Sequence, residues 1–453
     1  VHPSRSAGRP RDLKRRLDPP RSAGVQWPRR RRGKSVEPSA NGLIYDWNRP
    51  EGFTFRHRPT LQLNDETLRD GLQSPSVRDP PIEEKLGILH LMEELRIDAL
   101  DVGLPGAGAR ALRDIERLVR EIADNDLRIS PNVAVRTVVA EIEPVVDLIQ
   151  RVGMPVEACA FIGSSPIRAY TEGWDESRIL RLTEEAVTFG VERGVPMCYV
   201  TEDTTRAEPA TLERLYGCAI AAGAKRIVVA DTVGHATPIG VRALMQHVRG
   251  IVERSGEDVQ VDWHGHSDRG LAIPNCMMAI ASGADRIHAT ALGVGERCGN
   301  AQMDLLLVNL KLEGITDREL SRLGDYVRAV AGALDVPIPF NYPVFGGDAF
   351  RTSTGVHAAA ILKARQKGSA DLADRVYSGV PAGMVGLGQK VEVGFMSGRS
   401  NVLCYLQERG LPVDDERVDA ILRAAKESAR VLTDREIDAI LRRQAPGTPR
   451  VGA

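Results

Sequence analysis

His264 and His266 close a strand-like run, Val259-Gln260-Val261-Asp262-Trp263, whose apolar residues alternate. Alternate residues of an extended chain face the same way, so both imidazoles can point into one site at the strand's end. Asp70 ends another such stretch. One carboxylate and two imidazoles form a three-ligand set that leaves a divalent cation open to water and a chelating substrate. Arg69, next to Asp70, carries a fixed positive charge suited to a developing alkoxide. Each residue has a plainer use: Asp70 as a helix N-cap, Arg69 in a surface ion pair, the histidines as core imidazoles bonded to backbone. With Asp268 and Arg269 just beyond the histidines, the combination favours a metal site.

Other chemistry-bearing residues lie at the ends of similar runs. Arg286–Thr290 leads into Gly293-Val294-Gly295-Glu296-Arg297-Cys298-Gly299-Asn300, where Asn300 is either a ligand or an amide bracing the loop. The glycines fall as GxGxxxG, which is not a dinucleotide fingerprint. Glu202-Asp203 with Arg206 either faces the cation or caps a helix. Gly103–Gly108, between a strand and a helix, either cradles an anion or makes a tight turn. His357 lies far downstream and reaches such a site only from a lid or a neighbouring subunit; otherwise it is a surface residue.

The elements that must position these residues alternate regularly. Strands are expected at Leu61–Asn64, Ala99–Val102, Ile129–Val135, Val156–Ile162, Pro196–Thr201, Arg226–Ala230, Val259–Trp263 and Asp285–Thr290. Helical periodicity fills the gaps at Ile82–Leu95, Ala111–Ile122, Ile142–Arg151, Ser177–Arg193, Ala210–Ala222, Pro238–Ser255 and Leu271–Ser282. Repeated βα units of this number predict an α/β fold, a closed (β/α)8 TIM barrel over residues 56–314; an open doubly wound sheet is the alternative. In a barrel, function gathers where strands end, and Asp65, Arg69-Asp70, Glu202-Asp203, Asp231 and His264/His266 all stand there. Helices are expected again at Ala301–Glu313, Arg318–Leu334, Val402–Arg409 and Arg417–Arg443. Residues 315–453 therefore read as a helical linker, lid and dimerisation arm.

Composition bounds the rest. The chain has 453 residues, 42% of them hydrophobic, and no apolar run long enough for a membrane span. Its six cysteines form no CxxC pair, which fits reduced thiols in a cytoplasm. Net charge is −1, but residues 1–40 hold 12 basic against 3 acidic residues, leaving 48 against 58 elsewhere. The body is thus mildly acidic, with no broad basic face for nucleic acid. Residues 1–55 read as a disordered basic tail, with too little apolar surface to fold and no secretory core. Beginning on Val1, that tail suggests a true start further downstream.

At this point the residues resemble a known family, the metal-dependent barrel acyl-CoA condensing enzymes, which includes 2-isopropylmalate, homocitrate and citramalate synthases and is related to 3-hydroxy-3-methylglutaryl-CoA (HMG-CoA) lyase. The resemblance is carried by Thr67-Leu68-Arg69-Asp70-Gly71, Asp231-Thr232-Val233-Gly234, His264-Gly265-His266 with Asp268 and Gly270, Gly293–Arg297 with Gly299-Asn300-Ala301, and Thr354-Gly355-Val356-His357. It implies that Asp70, His264 and His266 bind a divalent metal (Mg²⁺, Mn²⁺ or Zn²⁺), with Asn300 at or near the sphere. Arg69 would polarise a ketone, and Glu202 and His357 would move protons, His357 arriving from the other subunit of a homodimer. Gln73, Arg136, Ser165, Arg168, Thr232 and Thr290 are the expected substrate contacts.

The implied reaction is a Claisen condensation of acetyl-CoA with a 2-oxo acid followed by thioester hydrolysis, first of all 2-isopropylmalate synthase-like and so a step of leucine biosynthesis. A citrate-, homocitrate- or citramalate-forming relative is the next reading. Departures bear on that choice. Leu72 stands where most synthases have Glu and where the lyase branch has Leu, so C–C cleavage of a 3-hydroxyacyl-CoA is a second class. A barrel without turnover, serving as a regulatory subunit, is a third, against which intact Arg69, Asp70, His264 and His266 argue. Asp101, Arg168 and His235 replace the usual Glu, His and Tyr near where the family reads its oxo acid. An extra arginine, Arg168 or Arg136, would favour a second substrate carboxylate. The leucine-sensing domain that often follows in isopropylmalate synthases is not expected.

Overall fold

The computed structural model describes residues 40–49 and 55–443; the expected basic tail lies almost wholly outside them. Ala40–Leu43, a single 3₁₀ turn, belongs to a separate unit, and everything below concerns the unit from Tyr45 onward.

Eight strands run in parallel and close on themselves: β1 (Gln62–Asp65), β2 (Ala99–Asp101), β3 (Ser130–Arg136), β4 (Glu157–Gly163), β5 (Met197–Glu202), β6 (Arg226–Asp231), β7 (Gln260–Gly265) and β8 (Arg286–Ala289). Closure is made by β8 against β1, with His288 opposite Asn64 and Ala289 opposite Asp65. The helices between them are α1 (Ile82–Glu94), α2 (Ala109–Asp124), α3 (Val139–Val152), α4 (Pro166–Glu172), α5 (Glu176–Glu192), α6 (Pro209–Ala221), α7 (Pro238–Ser255) and α8 (Ala272–Ala281). The protein is a TIM barrel. All eight expected strands are present with ends displaced by a residue or two. The short α4 was not expected; Ser165 caps it by accepting from the Arg168 N–H, with Pro166 in its first turn.

Period two sorts each strand between helices and interior. Leu63, Leu100, Val133, Val135, Tyr199, Ile227, Val229, Val261, Trp263 and Ile287 join the main apolar core against the helices. Their alternates point inward and are unusually polar for a barrel, where branched aliphatic layers are the rule. On the β7–β8–β1 side the interior holds Asn64, Asp262, His264, Arg286 and His288, all buried. On the β4–β6 side it holds a small apolar group, Cys159, Cys198 and Val228 with Val200.

Near the strands' N-terminal ends four charges form a closed ring. Arg226 Nη1 donates to Asp262 Oδ1 (2.7 Å) and its Nε to Glu157 Oε1 (3.1 Å). Arg286 Nε donates to Asp262 Oδ2 (2.6 Å) and its Nη2 to Glu157 Oε2 (2.6 Å). Each carboxylate bridges both guanidiniums, so neither sign is left uncompensated where the ring is largely buried.

Beyond the barrel come α9 (Met303–Leu312) and α10 (Leu323–Leu334). Leu320, Leu323, Tyr326, Val327 and Leu334 pack into the barrel's own core, so by packing the barrel body extends past residue 315. Next are β9 (Arg351–Thr352), α11 (Gly355–Gln366), α12 (Ala370–Arg375), β10 (Lys390–Val391), α13 (Arg399–Glu408), α14 (Asp415–Glu427) and α15 (Asp434–Arg443). These form smaller cores of their own around Ile361, Val402, Tyr405 and Ile421. The single helix expected at Arg417–Arg443 is two. Between them the chain leaves the helix so that the Leu432 N–H can donate to the Val393 carbonyl (2.8 Å). No helix among the described residues is long and apolar enough to cross a membrane.

Candidate active site

β1 delivers Glu66–Asp70 to the C-terminal mouth of the barrel, and β7 delivers His264 and His266. Thr67 shapes the first loop: its N–H donates to Asp65 Oδ1 (2.8 Å) and its hydroxyl accepts from the Ala291 N–H (2.9 Å). The result is a triangle of donor atoms. His264 Nε2 and His266 Nε2 are 3.3 Å apart, and each lies 3.6–3.7 Å from Asp70 Oδ2. Ligands held about 2.0–2.2 Å from one tetrahedral ion stand roughly 3.4 Å apart, so the three fit a single divalent cation. Burial, then the neighbouring His264, pushes His266 down to about 4, which keeps its imidazole neutral and able to ligate. Burial works against ionisation of Asp70, but Arg69 and the two histidines outweigh it and hold the carboxyl below its ordinary range.

Asn300 turns its amide nitrogen to Asp70 Oδ1 (2.9 Å) and to the Val294 carbonyl (3.2 Å). Through that nitrogen Asn300 braces the Asp70 carboxylate. The glycine loop makes room for that brace. A Cβ on Gly295 (φ +153°) would fall 2.2 Å from Asn300 Nδ2, and one on Gly299 (φ +81°) would overlap the Gly293 carbonyl.

Arg69 lies among three carboxylates. Its Nε donates to Asp101 Oδ2 (2.8 Å), Nη1 reaches Asp70 Oδ2 (3.2 Å) and Nη2 donates to Glu66. Burial raises Asp101 to about 7 against the pull of Arg69. Glu66 also contacts His288 Nδ1 (2.5 Å), whose Nε2 lies 3.1 Å from Asp262 Oδ2. Burial lowers His288, but Glu66 and Asp262 prevail and raise it above its ordinary range.

These groups line a cavity of about 340 Å³ with Gln73, Glu202, Thr232, Glu296 and Arg297, and with the apolar Leu104, Ala134, Phe161, Val200, Val228 and Ala230. Burial raises Glu202, and Arg168 partly offsets the rise. Arg297 is committed: its Nε donates to Asp268 Oδ2 (2.8 Å) and its Nη2 to the Thr232 carbonyl (2.5 Å).

The structure thus gathers Arg69, Asp70, Gln73, Glu202, Thr232, His264 and His266 around one cavity. Other expected contacts go elsewhere, each for a local reason. Arg136 pairs with Glu141 at the surface. Arg168 pairs with Glu172 one helical turn on (2.9 Å), its Nε 3.9 Å from Glu202. Ser165 is buried and donates to Asp203, and Thr290 donates to the Val294 carbonyl (2.7 Å), so both hydroxyls hold loops. His357, on α11, stacks on Tyr377 with ring centres 4.0 Å apart and does not line the cavity of its own chain. Sequence reading passed over Glu66 and His288 as functional groups. Their signal was period two, which sets His288 on the inward face of β8 and carries Glu66, the residue after β1, to the same side as Asn64.

Residues 60–328 match the HMGL-like family. The chain is 31% identical to a putative (R)-citramalate synthase of Methanopyrus kandleri over 369 residues, covering 81% of this chain and 68% of that protein. It is 29% identical to a 2-isopropylmalate synthase of Pyrococcus abyssi over 400 residues, 85% of this chain and 78% of that one. Among solved structures, an HMG-CoA lyase of Bacillus subtilis superimposes with a TM-score of 0.53 at 18% identity, covering 62% of this chain and 96% of that one.

Proposed function

The chain belongs to the HMGL-like family, and from that premise we propose that it is an acyl-CoA:2-oxo acid C-acyltransferase of the 2-isopropylmalate synthase kind, joining the acetyl group of acetyl-CoA to 2-oxoisovalerate. The curated relatives named as citramalate and 2-isopropylmalate synthases support the reaction class. The observation that carries the choice of acid is the cavity wall. Leu104, Ala134, Phe161, Val200 and Ala230 offer an apolar surface, which suits a branched alkyl group. Its arginines, Arg69 and Arg297, are already committed to carboxylates, and Arg136 and Arg168 pair with Glu141 and Glu172. Among the described residues no free cation lines the cavity for a second substrate carboxylate, which disfavours oxaloacetate and 2-oxoglutarate.

Asp70, His264 and His266 would hold the divalent cation. When bound, the cation would act as a Lewis acid on the oxo acid, making its keto carbon electrophilic. Arg69, fixed by Glu66 and Asp101, presents its charge beside that carbon, where negative charge develops as the new bond forms. Glu202, with its proton affinity raised by burial, is the acceptor for a methyl proton of acetyl-CoA. Apolar walls limit water around the reacting atoms until the thioester is hydrolysed. His357 would supply a second proton-transfer group from another copy of the chain in a homodimer. Val356, Phe395 and Met396, exposed apolar residues beside it, support such a contact.

The test is release of free CoA thiol from acetyl-CoA with Mg²⁺, Mn²⁺ or Zn²⁺, offering 2-oxoisovalerate, pyruvate, oxaloacetate and 2-oxoglutarate in turn. Release with 2-oxoisovalerate above the others is the expected result, and release with 2-oxoglutarate alone overturns the choice of acid. Leu72 favours a second reading as a C–C lyase, which would form acetyl-CoA from a 3-hydroxyacyl-CoA with no oxo acid present.

A further inference from the structure

We infer that Glu66 is a positioning residue that sets both the metal-facing nitrogen of His264 and the guanidinium of Arg69; the inference rests on the metal site proposed above. Glu66 is 2% exposed, and its carboxylate lies against Arg69, His264 and His288. Oε2 accepts from Arg69 Nη2, while Oε1 contacts His288 Nδ1 (2.5 Å), accepts from Asn64 Nδ2 (3.3 Å) and lies 3.6 Å from His264 Nδ1. His264 therefore has a carboxylate at one ring nitrogen and the ligand triangle at the other. A carboxylate behind a ligating imidazole fixes its tautomer with the proton on the rear nitrogen, which leaves the front lone pair free for the ion.

The same carboxylate restrains Arg69. Without it the guanidinium keeps Asp101 and Asp70 as partners, and the charge that Glu66 now absorbs falls on Asp70, a ligand. His288 strengthens the arrangement from below. Held between Glu66 and Asp262, it fixes Oε1 in place behind His264.

The experiment titrates metal-free protein with Mn²⁺ and follows free Mn²⁺ by electron paramagnetic resonance, which needs no substrate. Glu66→Gln has the same volume and no charge, and its Kd for Mn²⁺ is expected to rise about 10- to 100-fold. Glu66→Asp keeps the charge and is expected to bind within about threefold of the parent, the span of ordinary context effects. A folded Gln variant with the parent's affinity overturns the inference. So does an Asp variant as weak as the Gln variant, because length and not charge would then be what matters.

One measurement needs no variant at Glu66. In the unaltered, metal-free protein, ¹⁵N shifts of labelled histidine, assigned by the loss of one ring in His264→Ala, are expected to show His264 protonated at Nδ1 with Nε2 free. The opposite tautomer overturns the inference even if the Gln variant fails to fold. Asp70→Asn is the control on the underlying site. If it also binds Mn²⁺ like the parent, the metal-site reading fails, whereas a defect at Asp70 with none at Glu66 sinks only this inference.

Discussion

At the scale of single residues the site is a contest among charges at close range. Asp70, His264 and His266 were legible because their types and their places at strand ends already imply a shared cation, and in the structure their donor atoms lie within 3.7 Å of one another. On the proposed metal site, His264→Ala is expected to weaken Mn²⁺ binding by more than ~100-fold and to remove turnover, since it would delete a ligand itself and not its support. Full activity in that variant would sink the site. On the reading proposed above, substrate choice belongs to the apolar wall of the cavity. Ala134→Leu fills space there, and its kcat/KM for pyruvate relative to 2-oxoisovalerate is expected to rise at least ~10-fold, the effect of one or two methylenes in an apolar pocket. Steady-state kinetics with both acids checks it. Arg136 and Arg168 were misleading for a physical reason. A long cation takes a carboxylate near in sequence, Glu141 or Glu172, before it reaches across a barrel.

At the scale of elements the strands could be read almost to the residue, because each presents aliphatic residues to the helices at period two. The interior face was harder. Inward side chains meet only after eight strands close, so nothing local in Arg286-Ile287-His288-Ala289 marks His288 as the neighbour of Glu66 and Asp262. The two C-terminal helices, α14 and α15, were run together because a break that serves a distant backbone bond at Val393 leaves no local signal. The glycine loop between β8 and α9 makes its own prediction. Gly295→Ala places a methyl against Asn300 in a conformation unfavourable for alanine. It is expected to cost more than ~1 kcal/mol in stability and to weaken Mn²⁺ binding through loss of the Asp70 brace. Thermal melting and the Mn²⁺ titration read the two effects separately.

At the scale of the whole molecule, catalysis and stability share one interior. Asp262 is fully buried with Arg226, Arg286 and His288 around it, and removing its charge leaves two guanidiniums under-compensated. Asp262→Asn is expected to destabilise the protein by about 3–5 kcal/mol in denaturant unfolding. The pH dependence of that difference has a definite sign. Burial opposes ionisation of Asp262, but Arg226 and Arg286 hold its carboxyl below the usual range. Its contribution is therefore present above the unfolded value of about 4 and is lost as pH falls further. The gap between parent and variant should be constant near neutrality and narrow in acid. The homodimer reading predicts complementation: His357→Ala and Asp70→Asn chains, each inactive alone, should regain activity when mixed and reassembled. Mixtures that stay inactive would sink the trans arrangement, and a His357→Ala chain active on its own would place His357 outside the chemistry.

The ring of Glu157, Asp262, Arg226 and Arg286 also constrains how this barrel can change over generations. Each carboxylate is bonded to both guanidiniums across four different strands. No member can lose its charge without stranding two neighbours, yet an oppositely charged pair can leave together and restore neutrality. A saturation library over the four positions should therefore show near-complete intolerance one position at a time, with survivors recovered only as acid–base double replacements by apolar residues. Drift at the floor of this barrel must proceed in coupled steps.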